Sequence, residues 1–165
     1  PSFSGVVISA SYQDSATIGT YSDFGINIKP EMVEGLELGY AKGTIEASAS
    51  TEADDSTMYA KYAVGSITIG YQKSDTNGAD ADTTDESTAI GITYAITDDF
   101  SVGYGTHDVD FGDQALDQES TGFSASYTMG GMTIAGHMNE TDNVAGSSAV
   151  ADDKKAYELS LSFAF

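Results

Sequence analysis

Four aromatic residues, Tyr62, Tyr94, Tyr127 and Phe163, hold equivalent places in a repeat whose steps are 32, 33 and 36 residues. Each repeat is an alternating apolar segment, a short turn, a second alternating segment and a long polar connection. Met58, Ala60, Tyr62 and Val64 alternate, Gly65 turns the chain, and Ile67, Ile69 and Tyr71 follow. Ile90, Ile92, Tyr94 and Ile96 turn at Thr97-Asp98-Asp99 into Phe100, Val102 and Tyr104. Thr121, Phe123, Ala125 and Tyr127 turn at Gly130-Gly131 into Met132, Ile134 and Met138. A period of two belongs to β-strands, whose successive side chains point to opposite faces, and helical periodicity is absent. A unit of about 33 residues in a chain of 165 predicts five hairpins, hence an all-β antiparallel meander of about ten strands.

The last strand states the pattern most plainly. Tyr157, Leu159, Leu161, Phe163 and Phe165 share one parity; Ala156, Glu158, Ser160, Ser162 and Ala164 share the other. Toward the start, residues 3–12 alternate with Val6, Ile8, Ala10 and Tyr12 on one side. Phe24, Ile26 and Ile28 lead to Lys29-Pro30, and Leu36, Leu38 and Tyr40 restart the pattern. After Lys42-Gly43 the apolar parity moves to Ile45, Ala47 and Ala49. Either a glycine bulge continues one long strand or Lys42-Gly43 is a hairpin turn; the bulge is preferred, because it leaves Phe24–Ile28 a role.

The polar parity decides the environment. In the regular strands it carries residues such as Thr68, Gly70, Gln72, Gly91, Thr93, Ser101, Gly103, Ser124, Ser126 and Thr133, with scarcely a large aliphatic among them. Such a face cannot make a dry packed core. A soluble sandwich would favour charged side chains on an outer face, where this chain has Ser, Thr and Gly. Loop lengths also segregate. Three tight turns lie on one edge, and long polar loops at Ser74–Ser87, Thr106–Ser120 and Asn139–Lys155 lie on the other, unlike Greek-key connections. Aromatics beside the tight turns suit a membrane interface, where a Tyr ring sits in acyl chains with its hydroxyl among headgroups. These features predict a transmembrane β-barrel with short turns on one side and long loops on the other.

Composition agrees. No apolar run approaches the roughly 20 residues a spanning helix needs, a test that barrel strands escape by alternating. The 26 acids stand against six bases, all lysines (29, 42, 61, 73, 154 and 155), for a net charge of −20. Nucleic acid is excluded as a partner, since it requires a basic patch. The chain has no cysteine, so it has neither disulfide nor thiolate metal site.

The chain resembles a general diffusion porin of Gram-negative outer membranes, of the alphaproteobacterial kind. Tyr157-Glu-Leu-Ser-Leu-Ser-Phe-Ala-Phe165 is similar to that family's C-terminal assembly signal, carried here by Tyr157, Leu159, Leu161, Phe163 and Phe165. Tyr62–Tyr71 and Tyr127–Gly136 resemble its turn-flanked strand pairs, and Pro1–Tyr12 resembles a strand partway through such proteins. The resemblance implies a 16-stranded barrel, a homotrimer, insertion by the barrel assembly machinery, and a loop folded inside as a constriction. Ten strands fall short of sixteen. The 165 residues are therefore expected to be a single barrel region, the C-terminal part of a longer chain, with the inward loop and its arginines upstream.

The expected function is passive diffusion of ions and small hydrophilic solutes with a preference for cations. The residues expected to line the pore are Lys29, Glu37, Lys61, Gln72, Thr93, Ser101, Ser124, Thr133, Glu158 and Ser160. The acidic loops are read as a solvated rim. Asp80, Asp82, Asp108 and Asp110 are the candidate Ca²⁺ ligands, without an EF-hand pattern around them. No catalytic site and no other cofactor are expected. The competing readings are a soluble or surface acidic β-protein with Ca²⁺-binding loops, and an omptin-like outer-membrane protease using His107 with Asp108 and Asp110. No nucleophile elbow or phosphate loop supports further chemistry.

Overall fold

The computed structural model describes residues 2–14, 19–48, 51–78, 84–112, 114–149 and 153–164. They form one antiparallel sheet in which every strand pairs with its sequence neighbours. The strands are β1 (Ser2–Phe3), β2 (Val6–Gln13), β3 (Thr20–Ile28), β4 (Leu36–Ser48), β5 (Thr51–Val64) and β6 (Ile67–Asn77). They continue with β7 (Thr84–Ala95), β8 (Phe100–Phe111), β9 (Gln118–Met129), β10 (Met132–Asp142) and β11 (Lys154–Phe163). Ten long strands in meander order are the predicted architecture. The sheet is open, with β1 at one edge and β11 at the other.

The register fixes which residues share a face. Tyr62 pairs with Ile69, Ile69 with Ile92, Ile92 with Tyr104, Tyr104 with Phe123, Phe123 with Met138, and Met138 with Tyr157. That apolar row crosses seven strands, and every member except Tyr62 is more than 40% exposed. Among the described residues no hydrophobic side chain is buried, so the sheet has no core of its own. Soluble monomers rarely expose contiguous apolar patches beyond a few hundred Å². This face needs a covering medium. Phe100 and Tyr127, cross-strand neighbours beside the tight turns, meet edge-on at 6.5 Å.

The start of the chain differs from the sequence reading in two places. Residues 3–12 are not one strand: Ser4 and Gly5, with φ of 41° and 82°, make a two-residue turn between β1 and β2. Positive φ at both central positions matches the right-handed strand twist, which is why Gly belongs there. β4 does continue through Lys42-Gly43, but with no bulge at that point. Lys42 pairs with Phe24 and Ser56, and Gly43 with Asp23 and Asp55, in regular register. The irregularity lies between Glu46 and Ser48.

The long loops are also shorter than predicted, because the strands run on into acidic sequence. Asp54, Asp55, Asp75, Asp85, Glu86, Asp108, Asp110, Glu119, Glu140 and Asp142 are all strand residues. Backbone ladders form whatever the side chains, so loss of apolar alternation marks the end of the covered band and not the end of the strand. Strands of 11–14 residues, β5 to β10, meet or exceed the roughly 9–11 that a bilayer crossing requires.

Candidate functional site

The site is the polar face. A cavity of about 600 Å³ touches polar-face residues of six consecutive strands, from Tyr59 and Lys61 on β5 to His137 and Asn139 on β10. One cavity can reach that many strands only if the sheet curls around this face. Its floor is a row of glycines in direct register: Gly70 pairs with Gly91, Gly91 with Gly105, and Gly105 with Gly122. A Cβ at Gly70 would meet nothing within 4 Å, and one at Gly91 only the Tyr104 carbonyl oxygen at 3.9 Å.

Elsewhere on this face hydroxyls satisfy one another across strands. Ser101 and Ser126 Oγ are 2.9 Å apart, as are Thr128 and Thr133 Oγ1. Ser160 Oγ donates to the Ala135 carbonyl. Of the residues expected to line a pore, Lys61, Gln72, Thr93 and Ser124 border the large cavity. Lys29 and Glu37 border a second cavity beside the connection between β3 and β4. Ser101, Thr133, Glu158 and Ser160 share the parity of these residues through the ladders of β8 to β11.

One cluster was invisible in the sequence. Glu37 Oε1 accepts from Asn27 Nδ2 and from the Tyr59 hydroxyl, each at 2.9 Å. Asn27 Nδ2 also donates to the Tyr59 hydroxyl. Glu37 Oε2 lies 3.3 Å from Lys61 Nζ and 3.5 Å from Lys29 Nζ. Asn27, Glu37 and Tyr59 come from three adjacent strands, and only the register brings them together. No spacing along the chain signals it.

The lysines of the apolar face sit in a common setting. Lys42, Lys73 and Lys155 each lie two residues from a tyrosine of the same face (Tyr40, Tyr71 and Tyr157), on the side toward the long loops. Each is paired: Lys42 with Asp54 at 3.0 Å, Lys73 with Glu86 at 3.0 Å and Asp75 at 3.5 Å, Lys155 with Glu140 at 2.6 Å. A long stem along an apolar surface with its charge beyond the aromatics is the usual posture of lysine at an interface.

The proposed acid–base pairing of His107 does not occur. His107 faces the polar side of β8, whereas Asp108 and Asp110 face the opposite side, because alternate residues of a strand diverge. His137 lies mid-strand, opposite Ser124 and Glu158. Among the described residues no three His, Asp or Glu side chains converge as a metal cage. Asp80 and Asp82 lie outside the described residues, as does Phe165.

Two long loops are tied together. Asn143 Nδ2 donates to the Asp117 carbonyl, and Ala145 N–H to Gln118 Oε1, both at 3.1 Å. The 3₁₀ turn Val144–Gly146 thereby packs against the β8–β9 connection, and Gly146 is buried there.

Two solved structures share this architecture, a triple variant and a quintuple variant of the porin of Rhodobacter blastica. They superpose with TM-scores of 0.74 and 0.71, at 15% and 16% identity. Each likeness covers 99% of this chain and 65% of the other, so the chain spans under two thirds of their length. A comparison with curated protein sequences gives no match. The Gram-negative porin family, in contrast, matches residues 1–163. With a polar face curled around a cavity and an apolar face turned outward, the chain belongs to the Gram-negative porin family.

Proposed function

We propose that this chain is the C-terminal part of an outer-membrane porin that lets ions and small hydrophilic solutes diffuse passively, with a preference for cations. The carrying observation is the inversion of the usual globular arrangement: apolar residues outside, glycines and hydroxyls around the cavity, and no buried core among the described residues. Such a wall selects by size and by field and performs no reaction. Lys29, Glu37, Lys61, Gln72, Thr93, Ser101, Ser124, Thr133, Glu158 and Ser160 are proposed to face the water. Upstream strands would close the barrel between β11 and β1, and the closed barrels would assemble as homotrimers after insertion by the barrel assembly machinery. The tight turns would face the periplasm and the acidic loops the exterior.

Cation preference follows from the charge. Asp23, Asp55 and Asp85 lie on the polar parity toward the long-loop edge, within a chain of net charge −20. A mouth of negative potential concentrates cations, and the effect weakens as salt shortens the screening length from about 30 Å at 0.01 M to about 10 Å at 0.1 M. Full-length protein in a planar bilayer under a salt gradient is the test. Ohmic steps with a cation-selective reversal potential, decaying as salt rises, are expected. Anion selectivity at low salt would remove the cation preference, and absence of steps would remove the channel.

A further inference from the structure

We propose that the cavity between the β3–β4 connection and β5 is a binding site for small zwitterions the size of an amino acid. The cavity, of about 570 Å³, lies within the range of small-molecule sites. Its border includes two lysines, Lys29 and Lys61, and two glutamates of the connection, Glu31 and Glu34. Glu37, also at its edge, is fully engaged: one oxygen takes the Asn27 and Tyr59 donors, and the other faces both lysines.

Two ammonium groups therefore share one carboxylate. The side chains of Lys29 and Lys61 are 64% and 53% exposed, while that of Glu37 is only 18% exposed. Both ammoniums lie within 3.5 Å of the same Glu37 oxygen, so a single incoming carboxylate can reach both with their remaining donors. Glu31 and Glu34 are exposed and form no ion pair among the described residues. Their positions are set by an ordered connection, where Val33 N–H bonds to the Pro30 carbonyl and Leu36 N–H to the Val33 carbonyl.

A simple anion would satisfy the lysines but meet the two glutamates. A simple cation would meet the lysines. A molecule carrying both charges satisfies both kinds of group, because each of its own groups finds partners of opposite sign. The proposal rests on the channel reading for its role: a retention point for zwitterionic solutes at one mouth of the pore.

The test is saturation-transfer NMR on full-length protein folded in detergent, with L-alanine as probe, lactate as the anionic comparator and lactamide as the uncharged one. Alanine should bind saturably and more tightly than either. Lys29→Gln with Lys61→Gln, and separately Glu31→Gln with Glu34→Gln, should each weaken it up to about fivefold, what an exposed ion pair carries at its upper range. Retention of heat-modifiable gel mobility shows that the variants are folded. Lactate binding as tightly as alanine, or no effect of the two glutamate substitutions, would reduce the site to a plain anion site and overturn the proposal. Alanine no better than lactamide would overturn it outright. Ion conduction by the same preparation distinguishes these failures from failure of the channel reading.

Discussion

The ring of Tyr59 occupies the space that a side chain at its cross-strand partner Gly39 would need. The glycine lets the ring lie along the wall, and that posture delivers the hydroxyl to Glu37 and Asn27. Gly39→Val should push the ring away and dismantle the cluster. Inserting bulk into a packed place costs about 1–3 kcal/mol, and a lost hydrogen bond about 1 kcal/mol. Gly39→Val is therefore expected to destabilise the folded form more than Tyr59→Phe, which keeps the ring and loses only the hydroxyl. Urea titration of vesicle-folded protein, read by gel mobility, measures both. Equal effects would mean that the ring's position does not matter.

Charge on the apolar face should be tolerated or penalised according to height. Lys73 lies beyond Tyr71 and is held by Glu86, which is exposed, and by Asp75, which is half-buried. Glu86→Gln is expected to leave folding into vesicles nearly unchanged, since exposed pairs contribute little. Ile92→Lys places the same charge in the middle of the apolar row, where it should cost about 2–4 kcal/mol. Similar losses for the two would mean that this face does not meet acyl chains.

The sequence was most legible where the face contrast is strongest. From Met58 onward Ile, Tyr and Phe alternate with Gly, Ser and Thr, so strand parity and tight turns could be read directly. Near the start, Ser and Ala blur the contrast, and the Ser4-Gly5 turn leaves the alternation of residues 6–12 undisturbed. Lys42 stands on the apolar parity, and its partner Asp54 comes from the next strand, where no local pattern points to it. Strand ends were misplaced for a related reason: periodic apolarity reports where the covering medium stops, while the ladder goes on. The Glu37 cluster and the glycine row needed register across several strands, which depends on connection lengths that no local pattern specifies.

The link between the two long loops predicts a separate weak point. Gly146 has φ of 72° and is packed against the Gln114 side chain and the Leu116 carbonyl, so a side chain there meets both strain and a clash. Gly146→Leu should detach the β10–β11 loop from the β8–β9 loop and hasten proteolytic nicking of both. The strands below keep their own ladders, so heat-modifiable mobility should be retained. Loss of folding in this variant would mean that the loops stabilise the sheet itself.

The glycine row yields the most direct test of the wall. At Gly70 and Gly91 the space over the polar face is open, whereas at Gly103 an added side chain would meet Ser124 Oγ at 2.7 Å and Thr93 at 3.3 Å. Tryptophan at the first two positions can start into the cavity without its Cβ displacing a neighbour. An indole presents about 200 Å² of surface, so Gly70→Trp and Gly91→Trp are expected to lower single-channel conductance on the order of tens of per cent. Gly103→Trp should instead reduce the yield of folded protein, because its neighbours must move. The absence of cysteine from the chain permits an independent readout: Gly70→Cys and Gly91→Cys should react with water-soluble thiol reagents in intact vesicles. Charged reagents that enter the pore should then block the current through these variants and leave the unsubstituted protein unaffected. Normal conductance in both tryptophan variants, with both cysteines unreactive, would place the glycine row away from the water path and reverse the assignment of the two faces.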